Sequence, residues 1–73
     1  MKDFVKIRWI EDGIIEVFYH SYQEYPSIED IKKGETQWVD IIDEKEDFVT
    51  VQFGDGSVST INRKCFEIVE DDD

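Results

Sequence analysis

The feature that most constrains the fold is the alternating run VTVQFGDGSVSTI at residues 49–61. Apolar residues at every second position indicate a half-buried strand on each side of the break, because successive strand side chains point to opposite faces. Asp55-Gly56 suits a two-residue type I′ turn, which places Phe53 opposite Val58 and Val51 opposite Thr60. So regular a register favours a structural turn over a ligand-binding loop. It predicts an apolar inner face and an uncharged outer docking face formed by Thr50, Gln52, Ser57 and Ser59.

Strand patterns also occur before and after this run. Residues 5–9 alternate, Asp12-Gly13 marks a tight turn, and residues 14–19 are rich in β-branched and aromatic side chains. Together they predict a hairpin over residues 4–20. Residues 37–43 are apolar on both faces, which predicts a strand deep in a closed sheet. Residues 65–69 form a predicted last strand. The chain is therefore expected to be one domain over residues 1–69, followed by a disordered acidic tail at residues 70–73.

Residues 20–36 have no clean period, and we predict a long loop there. Ser27 followed by Glu29 and Asp30 is typical of a helix start, and Gly34 is a suitable stop. At most one short helical turn fits between them. Outside this loop, Trp9 and Trp38 are predicted core residues, because a domain of 73 residues needs its large side chains for packing.

The second half of the chain resembles an SH3-like barrel. Lys32-Lys33-Gly34-Glu35 is similar to the diverging turn that precedes a strand in SH3 domains. The hairpin, the glycine-containing turn, a 3₁₀ segment at residues 62–64 and a final strand follow in the SH3 order. The VTVQFGDGS segment is also similar to the Tudor hairpin. The resemblance covers Ile31 to Val69. It implies an all-β fold, a small SH3-like barrel of five to six antiparallel strands with a long RT-like loop at residues 20–36.

The chain departs from the SH3 pattern where proline-rich peptides bind. Phe48 and Val49 stand where the groove tryptophans are expected, Asn62 replaces a proline, and Cys65 replaces a tyrosine. Polyproline recognition requires a groove lined with aromatic residues. We therefore do not expect this activity here.

The charge limits the class of partner. Nineteen acidic and eight basic residues give a net charge of −11, and residues 1–69 alone carry −7. A surface this negative repels nucleic acids and anionic lipids. The composition therefore favours a basic protein surface as the partner.

No pattern of catalytic or metal-ligating residues stands out. Cys65 and His20 are the only residues of their types, and Cys65 is expected to be a small packing residue. The acids at residues 40–47 lack the glycine of a calcium loop. We expect no enzyme activity, no metal, no cofactor, no small-molecule substrate and no membrane association. A lone cysteine and the absence of a signal peptide predict a reducing cytoplasm.

The acids between residues 35 and 55 carry the main functional hypothesis. On a rigid sheet they could imitate the phosphate spacing of a nucleic acid and occupy the basic groove of a nucleic-acid-binding enzyme. Small acidic phage inhibitors and immunity proteins are similar in size and charge. The predicted inhibitor site has acids that steer the partner and aromatic residues that anchor it: Asp40, Asp43, Glu44, Glu46, Asp47, Tyr22, Tyr25 and Trp38.

Three alternatives stay open at this stage. Exposed tyrosines in the 20–36 loop could instead belong to a Tudor- or SH3-type peptide reader, in which an aromatic cage holds a methylated lysine. The chain could be a structural subunit of a larger assembly. The acids could also serve only to keep the protein soluble.

Overall fold

Alternating apolar and polar residues form strands along most of the chain. The computed structural model describes residues 4–71 and is all-β, as predicted. Within this range one 3₁₀ turn, Arg63–Cys65, accompanies seven strands: β1 (Phe4–Trp9), β2 (Gly13–Phe18), β3 (Ser27–Ile31), β4 (Thr36–Glu44), β5 (Phe48–Phe53), β6 (Val58–Asn62) and β7 (Phe66–Asp71).

The seven strands form one open antiparallel sheet in the order β3-β2-β6-β5-β4-β1-β7. The predicted hairpin at residues 4–20 is wrong, because β1 pairs with β4 and β7, whereas β2 pairs with β3 and β6. The backbone of Trp9 explains the divergence. Its N–H donates to the Glu35 carbonyl at 2.9 Å, and its carbonyl accepts from Gly34 N at 2.8 Å. The end of β1 is therefore paired with residues that precede β4.

The segment predicted as a long loop contains β3, and the predicted helical turn at Ser27 is wrong. Ile31 is buried opposite Gly13, and Ser27 lies opposite Val17. Burying Ile31 against β2 outweighs the weak local preference of a Ser-Ile-Glu-Asp sequence for a helix start.

The turn between β2 and β3 is organised by Gln23. Its side-chain oxygen accepts from Tyr19 N at 2.7 Å, and its amide nitrogen donates to the Tyr25 carbonyl at 2.7 Å and to Ser27 Oγ at 3.4 Å. One amide side chain thus replaces several of the backbone hydrogen bonds that the turn lacks. No sequence pattern had indicated this residue.

The core consists of apolar residues from all seven strands, and Trp9 is among them, as predicted. The Trp9 and Phe66 rings meet edge to face, with centroids 6.4 Å apart. Trp38 is 42% exposed, so its assignment to the core is wrong. β4 is buried on one face only, because the other face of the single sheet meets solvent. The buried set is Ile7, Trp9, Val17, Ile31, Val39, Val49, Val51, Phe53, Ile61 and Phe66.

The β5–β6 hairpin closes with a three-residue loop, Gly54-Asp55-Gly56. Gly56 N donates to the Phe53 carbonyl at 3.0 Å, and Phe53 N donates to the Ser57 carbonyl at 2.8 Å. A type I′ turn needs positive φ at both Asp55 and Gly56. Only Gly56 has it, with φ of 93°. The predicted two-residue turn is therefore wrong.

The register of this hairpin is shifted by one residue from the predicted one. Val51 pairs with Ser59, and Thr50 pairs with Thr60. A shift of one residue exchanges the two faces of a strand. Ser57 and Ser59 are consequently buried, and the Ser59 hydroxyl donates to the Glu16 carbonyl at 2.7 Å.

Two other turns lie close to their predicted positions. Glu35 N donates to the Lys32 carbonyl at 3.1 Å, and Gly34 has φ of 91°. The 3₁₀ turn begins at Arg63, one residue after the predicted start, and Asn62 caps it by accepting from Lys64 N. β7 extends through Asp71, whereas the tail was predicted to begin at residue 70. The remainder of that tail, residues 72–73, lies outside the described residues.

Candidate functional site

A cleft of about 450 Å³ lies between the β2–β3 hairpin, the residues that lead into β4, and the β5–β6 turn. Four acidic residues, Glu29, Asp30, Glu35 and Asp55, line it together with Tyr19 and the apolar side chains of the core. Asp30 lies between Glu29 and Ile31 on β3, so its side chain points to the opposite face of the sheet. The carboxylates of the cleft are therefore those of Glu29, Glu35 and Asp55. No lysine, arginine or histidine lines it in the part of the chain that the structure describes. We call this feature the acidic cleft.

Hydrogen bonds shift the pKa values of two groups in the acidic cleft, Tyr19 and Asp55. Tyr19 donates its hydroxyl proton to Glu29 Oε2 at 3.0 Å. This bond, then desolvation, and then the negative charges of Glu29 and Asp55 raise the pKa of Tyr19. Hydrogen bonds from the hydroxyl and N–H of Ser57, at 2.6 and 3.0 Å, hold the pKa of Asp55 below its ordinary range. At neutral pH the tyrosine is therefore neutral and Asp55 is charged.

We expect the pKa of Asp55 to depend on the hydrogen bonds that its carboxylate accepts from Ser57. Because its pKa is lowered in the folded state, Asp55 stabilises the fold above the ordinary aspartate range, and this contribution disappears as the pH falls through the lowered pKa. NMR titration of its side-chain carboxyl carbon should give a higher pKa in Ser57→Ala than in the wild type. An identical pKa in the two proteins would contradict the assignment.

The predicted acidic turn at residues 43–47 is partly neutralised. Lys45 Nζ lies 3.7 Å from Asp43 Oδ2, and Arg63 Nη2 lies 3.4 Å from Glu44 Oε1. Arg63 also donates its Nε–H to the Lys45 carbonyl at 3.0 Å and its backbone N–H to the Asp47 carbonyl at 3.0 Å. Arg63, which lies 16 or more positions after this turn, thus offsets part of the turn's negative charge. Counting charges along the sequence could not indicate this contact.

The other predicted site residues are spread over the sheet. Glu46 and Asp47 are exposed in the turn, and Asp40 is half-buried on β4 opposite Gln52. Tyr22 and Tyr25 are 83% and 75% exposed in the β2–β3 turn.

The structure does not bring these tyrosines to the acidic turn. The β2–β3 turn adjoins Gly56 at one end of β5, and the acidic turn lies at the other end. Six strand residues span roughly 20 Å. Trp38 lies closer to the β5–β6 turn, since the next residue, Val39, pairs with Phe53. Lys6 Nζ is 6.0 Å from the Trp38 ring centroid.

The uncharged outer face differs from its predicted composition. Thr50 and Gln52 point outward as expected, but their neighbours on β6 are Thr60 and Val58. The hydroxyl oxygens of Thr50 and Thr60 are 2.9 Å apart. The buried serines are therefore not part of this docking surface.

The two residues considered for nucleophilic chemistry have separate partners. Cys65 Sγ lies 3.5 Å from Glu11 Oε1, and His20 stacks on Tyr22 with ring centroids 4.1 Å apart. Burial, followed by the effect of Glu11, raises the pKa of the Cys65 thiol, which favours the protonated and less nucleophilic form. Within the described residues, no three His, Cys, Asp or Glu side chains are grouped closely enough to hold a metal ion.

No family model, curated protein or solved structure matches the chain. The described residues include no helix that is long and apolar enough to cross a membrane.

Proposed function

We propose that the chain is a non-catalytic, acidic domain that binds a positively charged surface of a partner protein. The acidic cleft carries this proposal, because the carboxylates of Glu29, Glu35 and Asp55 have no cationic neighbour among the described residues that line it. Partner lysines or arginines would supply the missing charge. By covering a basic surface that binds nucleic acid, such a domain would inhibit the partner.

We further propose that the domain is related in architecture to SH3-like barrels. What supports this is the order of its elements: a turn at residues 32–35, β4, β5, a glycine turn, β6, a 3₁₀ turn and β7. In addition, β1 pairs with both β4 and β7, which brings the first and last strands together.

The association rate at low and high salt tests the proposed binding, because charges that attract the partner speed its association. A partner captured from native cell extract at low salt should associate at least tenfold more slowly at high salt, because ions screen charges beyond about 10 Å at 0.1 M salt. The double variant Glu29→Lys/Glu35→Lys should associate about tenfold more slowly than the wild type at low salt. Reversal of Asp43 and Glu46 should have a smaller effect, because that turn is partly neutralised. Association rates from stopped-flow fluorescence would provide the comparison.

Lys64→Gln is the matched control, since it alters an exposed charge of opposite sign and should not slow association. Rates that are independent of salt and of both reversals would contradict the proposal. The exposed Tyr22 and Tyr25 favour a second candidate, a peptide reader. Binding that survives high salt but is lost in Tyr22→Ala would support that candidate instead.

A further inference from the structure

β3 is an edge strand: one side pairs with β2, and the other side pairs with no strand of the described chain. It pairs with β2 alone, and residues 27–31 make no other backbone–backbone hydrogen bond within the described chain. Edge strands expose N–H and C=O groups that can pair with another chain, and proteins commonly block them with charged side chains, especially lysine, or with proline. The β3 sequence, Ser-Ile-Glu-Asp-Ile, contains neither lysine nor proline, although Pro26 and Lys32 flank it. Its two charged residues are both acidic, so they oppose an acidic strand and not a basic one.

The side chains of β3 differ between the two faces of the sheet. Glu29 shares its face with Ile31 and lines the acidic cleft. Ile28 lies on the outer face and is 56% exposed. On the adjacent strand Ile14 is 62% exposed and pairs with Asp30. The outer face of this hairpin therefore alternates exposed isoleucines with carboxylates.

The opposite edge of the sheet, β7, has a different charge balance. Its Glu67 accepts from Arg8 at 2.8 Å, so this carboxylate already has a cationic partner. Among the described residues, the hydrogen-bond partner of the Glu29 carboxylate is the neutral hydroxyl of Tyr19. Of Glu29 and Glu67, Glu29 is therefore the one that lacks a cation within the described chain.

A second copy of the chain is a poor occupant of the β3 edge. Antiparallel pairing of two β3 strands centred on Glu29 would place the two Glu29 residues directly opposite each other. Like charges in that position are destabilising. A positively charged strand has the complementary pattern.

We propose that the β3 edge binds an extended segment of the partner in which lysine or arginine alternates with apolar residues. The inference rests on the proposed function, because it identifies how the basic partner is held. Alternate side chains of the added strand point to opposite faces. The basic ones meet Glu29 and the other carboxylates of the acidic cleft, and the apolar ones lie beside Ile28. Main-chain hydrogen bonds to β3 supply affinity that does not depend on charge.

Two synthetic octapeptides of equal charge test the proposal. One alternates Lys with Val, and the other alternates Lys with Pro, which cannot donate backbone hydrogen bonds. We expect the Lys-Val peptide to bind at least tenfold more tightly by calorimetry. In NMR hydrogen exchange, it should slow the β3 amides that point away from β2 by tenfold or more. Glu29→Gln should weaken its binding at least threefold, and Glu67→Gln on the opposite edge should change it less than twofold.

The outcomes separate this inference from the proposed function. If both peptides bind equally, salt-dependently and without protecting β3 amides, the edge inference is overturned and binding of basic partners is retained. Protection of β7 in place of β3 would also overturn it. If neither peptide binds at low salt, the proposed function and the edge inference both fail.

Discussion

Replacing Trp9 by alanine is expected to lower the free energy of unfolding by about 3–5 kcal/mol. Trp9 is 3% exposed and packs edge to face on Phe66. A folded chain of 73 residues has a total stability of roughly 4–11 kcal/mol. The single substitution would therefore remove a large part of the margin that keeps the protein folded. Urea unfolding followed by circular dichroism measures the change.

Trp38→Ala is the matched control, because it removes the same side chain from the outer face. Its 42% exposed ring has the Lys6 ammonium 6.0 Å from its centroid, a contact that contributes about 0.5–1 kcal/mol at exposed sites. We expect a loss of about 1 kcal/mol or less. Equal losses for the two tryptophans would contradict the face assignments of β1 and β4.

Replacing Ser59 by lysine is expected to cost roughly 3–5 kcal/mol, because it forces an unpaired ammonium group into the core. Ser59 is 1% exposed, and its hydroxyl donates to the Glu16 carbonyl. Thr60→Lys adds the same charge one position later on the exposed face, and it should change stability by less than about 0.5 kcal/mol. Chemical unfolding of both variants at neutral pH would give the difference.

This pair of variants distinguishes the observed hairpin register from the one predicted by the sequence. With a two-residue turn, Thr60 would face the core and Ser59 would face solvent, so the order of the two effects would be reversed. A larger loss for Thr60→Lys than for Ser59→Lys would show that the three-residue loop is incorrectly described.

The sequence predicted most strand positions but not all of their neighbours. Alternation identifies β1, β5 and β6 because it depends only on local side-chain direction. The strands β2 and β4 are identified by local runs of β-branched, aromatic and other apolar residues. The choice of partner strand depends on contacts between distant residues, such as those of Trp9 with Gly34 and Glu35. β3 was missed for the same reason, since Ile31 becomes a core residue only when β2 lies beside it.

The sequence predicted the negative charge of the candidate site but not its position on the fold. Counting residues indicates an acidic protein and leads to the hypothesis of a basic partner. It cannot indicate that Arg63 reaches Glu44, or that Glu29, Glu35 and Asp55 line one cleft in which the described lining residues include no cation. These residues are separated by 6 to 26 positions along the chain, and only the folded sheet brings them together.

The connection between β2 and β6 has a mechanical consequence. Only two residue pairs join these strands, Val17 with Ser59 and Phe18 with Val58, whereas five pairs join β5 to β6 and five join β2 to β3. Because so few residue pairs join β2 to β6, few backbone hydrogen bonds must break to separate the two strands. Besides these pairs, the Ser59–Glu16 hydrogen bond and the burial of Val17 and Ile31 hold the β2–β3 hairpin in place. We therefore expect this hairpin to separate from β6 more readily than β5 does.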